Sequence, residues 1–219
     1  MTNVMKNQKG FTLLEIIVVL AVLGALAAML SPVVFRYIDD ANRARTQADA
    51  RTIATAIQRM YADTGRWPFY ADGNGQTAYQ TGVDADYLVS GTCLLATGST
   101  DTLGECGVTA AMIGSAAGWT AANKADGLTR QLVTNEGAAG IQYNASSTFP
   151  RAWKGPYTDA IPSVDAWGNP YVVNIGDAAG TQAVFVASAG SNGILETSAD
   201  TTSTTNLTPG GDDIIARVK

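Results

Sequence analysis

The sequence contains no histidine. That absence removes the commonest general base, the imidazole ligands of metal sites and every nucleophile that an imidazole would activate. Charge is scarce as well: 15% of residues are charged, with 14 cations against 19 acids and a net charge of −5. No cluster of Lys or Arg follows Arg66 that could neutralise several phosphates, so no nucleic-acid partner is expected. Only two cysteines occur, Cys93 and Cys106, in the polar, Gly-rich stretch SGTCLLATGSTDTLGECG. In an oxidising compartment they would close a short loop, worth about 3 kcal/mol on the chain-entropy estimate; in a reducing one they would stay free thiols.

What is present is concentrated at one end. The chain has 219 residues, enough for one domain of moderate size and an appended segment, and much of its apolar excess lies in the first 35. The 25 residues from Phe11 to Phe35 carry one charge, Glu15. As a helix rising about 1.5 Å per residue they exceed the ~30 Å of hydrocarbon in a bilayer. Lys6 and Lys9 precede them and place the short leader on the cytoplasmic side by the positive-inside rule. A cleaved secretory signal would have a shorter apolar region and a small-x-small site after it. Here the small residue, Gly10, stands before the apolar run.

Glu15 is the anomaly. A carboxylate in hydrocarbon costs at least about 2.5 kcal/mol on insertion scales and commonly has a partner or a function. One reading leaves it hydrated near the interface, or protonated. The other supplies a cation by processing: a cut after Gly10 makes Phe11 a new N-terminus, one helical turn from Glu15 and equally reachable from a neighbouring copy.

The string KGFTLLEIIVVLAVLGALAAMLSP resembles the class III signal of type IV pilins and type II secretion pseudopilins. The resemblance implies cleavage between Gly10 and Phe11 by a membrane aspartyl prepilin peptidase, and N-methylation of Phe11. It also implies self-assembly into a helical filament in which Glu15 aids docking. Pro32 matches the family's proline within the long helix; it removes one backbone hydrogen bond and permits a kink or local melting.

Beyond Phe35 the helix is expected to continue to about residue 62. Ile53, Ile57, Met60 and Tyr61 form one stripe, to be buried against a domain, while Arg45, Asp49, Arg51 and Arg59 lie largely elsewhere. Gly65 and Pro68 give the stop. Arg36, Asp39, Asp40, Arg43 and Arg45 sit just above the apolar segment, as a solvated face or as sources of intersubunit salt bridges. Residues 69–154 read as a loop-rich insertion. Asp72-x-Asn74 lacks the remaining ligands of an EF-hand loop. DGLTRQLVT suggests a short helix, with Asp126 as its cap and Leu128 and Leu132 on one face.

Strand periodicity begins near Tyr171. YVVNI and QAVFVAS make a hairpin and DIIARV a third strand. The expected fold is α+β: a long N-terminal helix, half membrane-spanning and half amphipathic, packed on a small C-terminal antiparallel sheet in a pilin-like arrangement. Gly155-Pro156-Tyr157, Ile161-Pro162 and Asp165-x-Trp167-Gly168-Asn169-Pro170-Tyr171 resemble the signature of the protein G (major pseudopilin) family of type II secretion systems. Trp167 and Tyr171 read as core, and Gly-Asn-Pro as a forced turn. In that family a loop after the hairpin binds one calcium ion through aspartates and carbonyls. By position Asn192 and Asp213 match the two aspartates and Ala189 a carbonyl ligand. Since Asn192 is neutral, Asp212, Glu196 or Asp200 would supply the missing charge.

The segments are then a leader, 1–10; a transmembrane and filament-core helix, 11–35; an amphipathic helix and cap, 36–68; the insertion, 69–154; and the sheet with its candidate calcium loop, 155–219. The resemblance implies a non-enzymatic subunit of a type II secretion pseudopilus. It would be single-pass in the bacterial inner membrane, with its C-terminal domain in the periplasm, and would enter a periplasmic filament supporting protein export. Its partners would be membrane lipid before assembly, other pseudopilins and the inner-membrane assembly platform. A type IV pilin of a surface pilus is the nearest alternative, and a membrane-tethered periplasmic binding module the one of another class.

Overall fold

A computed structural model describes residues 10–68, 86–91, 93, 101–114, 118–119, 124–135, 143, 151–175, 183–200 and 207–219. Its first element, α1, runs without a break from Leu13 to Thr64. The Asp72–Asn74 turn and the hairpin turn at 176–180 lie outside the described residues. The chain divides into two compact units between Ala41 and Asn42.

In the first unit every residue from Gly10 to Ile38 is exposed. Phe11, Leu13, Met29 and Phe35 stand 84%, 78%, 74% and 68% open. The mean hydropathy of the best 18-residue window is 2.8, so this is a helix long and apolar enough to cross a membrane. Pro32 lies inside the helix, which continues through it.

In the second unit α1 changes character. Thr46, Ala50, Ile53, Ala54, Ala56, Ile57, Met60 and Thr64 are buried, the i, i+3, i+4, i+7 pattern of one helix face. Tyr61 departs from the expected stripe: it is 41% exposed and stacks on Trp67 with ring centroids 4.2 Å apart. The helix ends where its residues require. Thr64 Oγ donates to Met60 O (2.7 Å) and accepts from Arg66 N (3.1 Å), and Gly65, at φ +70°, donates its N–H to Tyr61 O.

Among the described residues the sheet has six strands: β1 (Tyr87–Val89), β2 (Asp101–Thr102), β3 (Lys124–Gly127), β4 (Val172–Asn174), β5 (Phe185–Ser188) and β6 (Ile214–Arg217). Their order is β2-β3-β1-β4-β5-β6. The α+β arrangement is the expected one, but two details differ. The segment read as loop-rich contributes three strands, and β1 pairs with β3 in parallel, Leu88 opposite Asp126; the other pairs are antiparallel. A parallel pair needs a crossover of a dozen or more residues, and the chain between Val89 and Lys124 supplies it. These strands are two to four residues long, too short for alternation to reveal them.

The short helix expected around 126–134 is present from 128 onward. Asp126 lies just before it, buried in β3, where it accepts from Gly127 N and Gln131 Nε2; a π-helical turn follows at Arg130–Thr134. It carries Leu132, which with Leu128 is buried in the core, as expected.

Alternate residues of the central strands enter two cores. Leu88, Val173 and Val186 face the α1 core with Ile53, Ile57, Met60, Tyr143 and Tyr171. Tyr87, Val89, Val172, Phe185 and Ala187 enter a second, with Leu103, Val108, Trp119 and Leu195. The sheet is therefore apolar on both faces. At the β6 edge, Gln47 and Gln58 of α1 donate side-chain N–H groups to Ile215 O (3.2 Å) and Val218 O (2.7 Å), occupying carbonyls that another strand would need.

Candidate functional sites

At the start of α1, Gly10 has open space around it: a Cβ added there would meet nothing within 4 Å. The Gly10–Phe11 bond thus lies in an accessible stretch. Glu15 takes a role that the amine reading omitted. Its carboxylate accepts from Thr12 N (2.9 Å) and Thr12 Oγ (3.0 Å), while Thr12 Oγ accepts from Glu15 N (3.3 Å). This is a capping box: it satisfies otherwise orphaned N–H groups at a helix start and places negative charge near the positive end of the dipole. Its signal, Thr-x-x-Glu, was in the sequence. The same device recurs at Thr102-x-x-Glu105, where Glu105 accepts from Thr102 N (2.7 Å) and Oγ (3.0 Å); these bonds hold the Glu105 carboxyl below its ordinary range.

The second site is the loop after β5. Gly190 adopts φ +62°, and a Cβ there would collide with Asp212 O, so the backbone approaches itself closely. Asp212 Oδ2 accepts from Ser191 N (2.7 Å), Ser191 Oγ (2.5 Å) and Asn192 N (3.0 Å). Asp213 Oδ2 accepts from Glu196 N (2.9 Å) and Thr197 N (2.6 Å). The two carboxylates therefore bind opposite stretches of the loop. Asn192 Oδ1 accepts from Ile194 N (2.7 Å), and its Nδ2 donates to Glu196 Oε2 (3.1 Å). Ala189 is fully buried. Asp200 lies beside Gly118.

The neighbouring acids differ electrostatically. Burial opposes charge on Asp212, yet hydrogen bonds from Ser191 and Asn192 hold its carboxyl below the ordinary value. Burial pushes Asp213 up, the bonds from Thr197 and Glu196 offset only part of this, and the Glu196 charge adds to it. Each aspartate has an Oδ1 that is buried and lacks a hydrogen-bond partner. Two such oxygens are the donor chemistry a hard cation takes. Among the described residues, however, no three acidic or cysteine side chains converge as a metal-holding group.

The Asp165–Tyr171 stretch forms a hydrogen-bonded turn beside the loop after β5. Asp165, 3% exposed, accepts from Trp167 N and Asn169 N (both 2.9 Å) through Oδ1 and from Ser188 Oγ (2.6 Å) through Oδ2. Asn169 Nδ2 donates to Gly190 O (2.9 Å), tying the turn to the loop. Tyr171 is fully buried, as read, whereas Trp167 is half-buried. Cys93 and Cys106 are joined as a disulfide within the second core.

The chain thus has an exposed apolar helix opened by Gly10-Phe11 and a glutamate, and a mixed sheet in its second unit, a pilin-like α+β arrangement. Residues 5–31 match the family described as the prokaryotic N-terminal methylation motif. The chain is 34% identical over 68 residues to type II secretion system core protein G of Klebsiella michiganensis, covering 31% of this chain and 48% of that one. It is 37% identical over 68 residues to core protein G of Pseudomonas aeruginosa, with the same shares. It is 30% identical over 77 residues to the toxin coregulated pilin of Vibrio cholerae, 35% of this chain and 34% of that one. The chain thus spans less than half the length of these curated relatives. No solved structure matches.

Proposed function

We propose that this chain is a precursor subunit of a type II secretion pseudopilus. It inserts through residues 11–35, is cut by a prepilin peptidase between Gly10 and Phe11, is methylated at Phe11, and assembles through α1 into a periplasmic filament. The carrying observation is the exposed apolar helix headed by Gly10, Phe11 and Glu15. A surface exposed from Gly10 to Ile38 is covered first by lipid and then by the helices of other subunits. Its role is structural and has no catalytic step. The experiment is expression of the full chain with the secretion machinery, reading the N-terminal residue by mass spectrometry and the filament by shearing. Removal of the leader with methylated Phe11 is expected. Glu15→Val is expected to stay in the membrane and to enter filaments poorly, and normal assembly of that variant would end the docking role.

Calcium belongs to this proposal. Asp213 and Asp212, with Asn192, Glu196 and the carbonyl of Ala189, would hold it; bound there, it would neutralise the buried carboxylates and stabilise the loop. A melting midpoint of the full chain unchanged by EDTA would contradict it. The likeness to the toxin coregulated pilin favours a second reading, a type IV pilin. Neighbouring genes for a secretin and a secretion ATPase, as opposed to a pilus retraction ATPase, separate the two.

A further inference from the structure

The charged turn above the apolar segment repeats the arrangement at its start. Arg36 and Asp40 stand one helical turn apart, cation before anion, as the Phe11 amine would stand before Glu15. Glu15 and Asp40 are separated by 25 positions. At about 100° per residue that returns to within roughly 20° of the same azimuth. The two carboxylates thus share one stripe of α1, which is continuous between them. Both Arg36 and Asp40 are exposed. Among the described residues neither makes an ion pair, whereas Arg45 and Asp49, of the same types and spacing, are closed at 3.7 Å.

We propose that Arg36 and Asp40 form a second charge clamp between parallel copies of this chain, Arg36 of one helix meeting Asp40 of its neighbour. The stagger is four residues, about 6 Å, the same offset that would set the Phe11 amine of one copy against Glu15 of the next. The clamp rests on the filament-subunit reading above. Charge complementarity selects a second copy as the occupant. At a four-residue stagger Arg36 levels with Asp40, Asp39 with Arg43 and Arg45 with Asp49, and no like-charged pair aligns from residue 36 to 49. A seven-residue stagger would level Arg36 with Arg43, and like charges held together are penalised. The clamp fixes register, which the featureless apolar stretch between Ile16 and Phe35 does not.

The test is a charge swap in the full chain, assembled in cells with its secretion machinery. Arg36→Asp and Asp40→Arg are each expected to lower sheared-filament yield by about tenfold, the equivalent of about 1.4 kcal/mol, with membrane insertion and leader removal unchanged. The double variant R36D/D40R restores opposite charges across the contact and is expected to recover most of the yield. As a second readout, a tagged Arg36→Cys chain and an Asp40→Cys chain, co-expressed, should cross-link to each other in preference to forming symmetric dimers of either chain. Single variants that assemble like the parent, a double no better than the singles, or preferential symmetric cross-linking would each overturn the clamp alone. A parent chain that is processed but never assembles overturns the filament reading and the clamp with it.

Discussion

Removing the Asp165 carboxylate should unfasten the signature turn from the sheet, and the structure sets the scale of the loss. Oδ1 accepts two backbone N–H groups, from Trp167 and Asn169, and Oδ2 accepts the Ser188 hydroxyl. The donors differ in what happens to them after Asp165→Ala. Trp167 and Asn169 are half-buried, so water recovers part of their bonding. Ser188 is fully buried and its hydroxyl would be stranded, at about 1–3 kcal/mol. Adding about 1 kcal/mol for each of the two backbone bonds gives a loss of roughly 3–5 kcal/mol. Asp165→Asn is the informative contrast. Its one oxygen can take the Oδ1 place and serve both N–H groups, while its amide donates to the Ser188 oxygen, so about 1 kcal/mol is expected. Urea denaturation of the full chain in detergent, at matched slopes, reads the difference; with a slope near 2 kcal/mol/M the alanine midpoint falls by about 2 M. An alanine variant losing less than the asparagine variant, or the two losing equally, would refute the reasoning.

Reducing the Cys93–Cys106 bond, which closes a loop of sequence separation 13, should cost about 3 kcal/mol, seen as a lower denaturation midpoint of Cys93→Ser/Cys106→Ser against the oxidised parent. Ile57→Ala, at a fully buried position between α1 and the sheet, should cost about 2–5 kcal/mol in the same assay. In EDTA, the two loop aspartates should show opposite pH dependences. Asp213 has a raised folded-state pKa, so its contribution is fully present below the ordinary carboxylate value of about 4 and is lost as pH rises through the folded value; Asp213→Asn should gain on the parent as pH rises. Asp212 has a lowered one, so its contribution is present above about 4 and lost as pH falls through the folded value; Asp212→Asn should be the weaker protein at neutral pH and converge with the parent in acid.

Legibility followed the length of each signal. The helix carries 52 residues of signal, and its expected end at about 62 falls within two residues of Thr64. The β4, β5 and β6 strands were legible because β-branched residues concentrate in them. The strands β1, β2 and β3 were not, since two to four residues such as Lys-Ala-Asp-Gly have no strand preference of their own. They are strands because neighbours hold them. The Thr12-x-x-Glu15 box was readable from spacing and was passed over because Glu15 had a second candidate partner. The opposed shifts of Asp212 and Asp213 were beyond reading: adjacent residues with the same chemistry differ in which loop N–H groups reach them, how much water remains and whether the Glu196 charge adds to the shift.

By itself the sequence determined where the long apolar helix lies, where it stops, and which residues carry the N-terminal methylation motif, because these depend on composition and on contacts within a turn or two. Only the tertiary structure decided that the sheet is mixed and apolar on both faces, that Gln47 and Gln58 close its edge, and that Asp165 joins a turn to β5. Each of these brings together residues more than twenty positions apart, and no local periodicity encodes which of many possible long-range partners an N–H or a carboxylate will find.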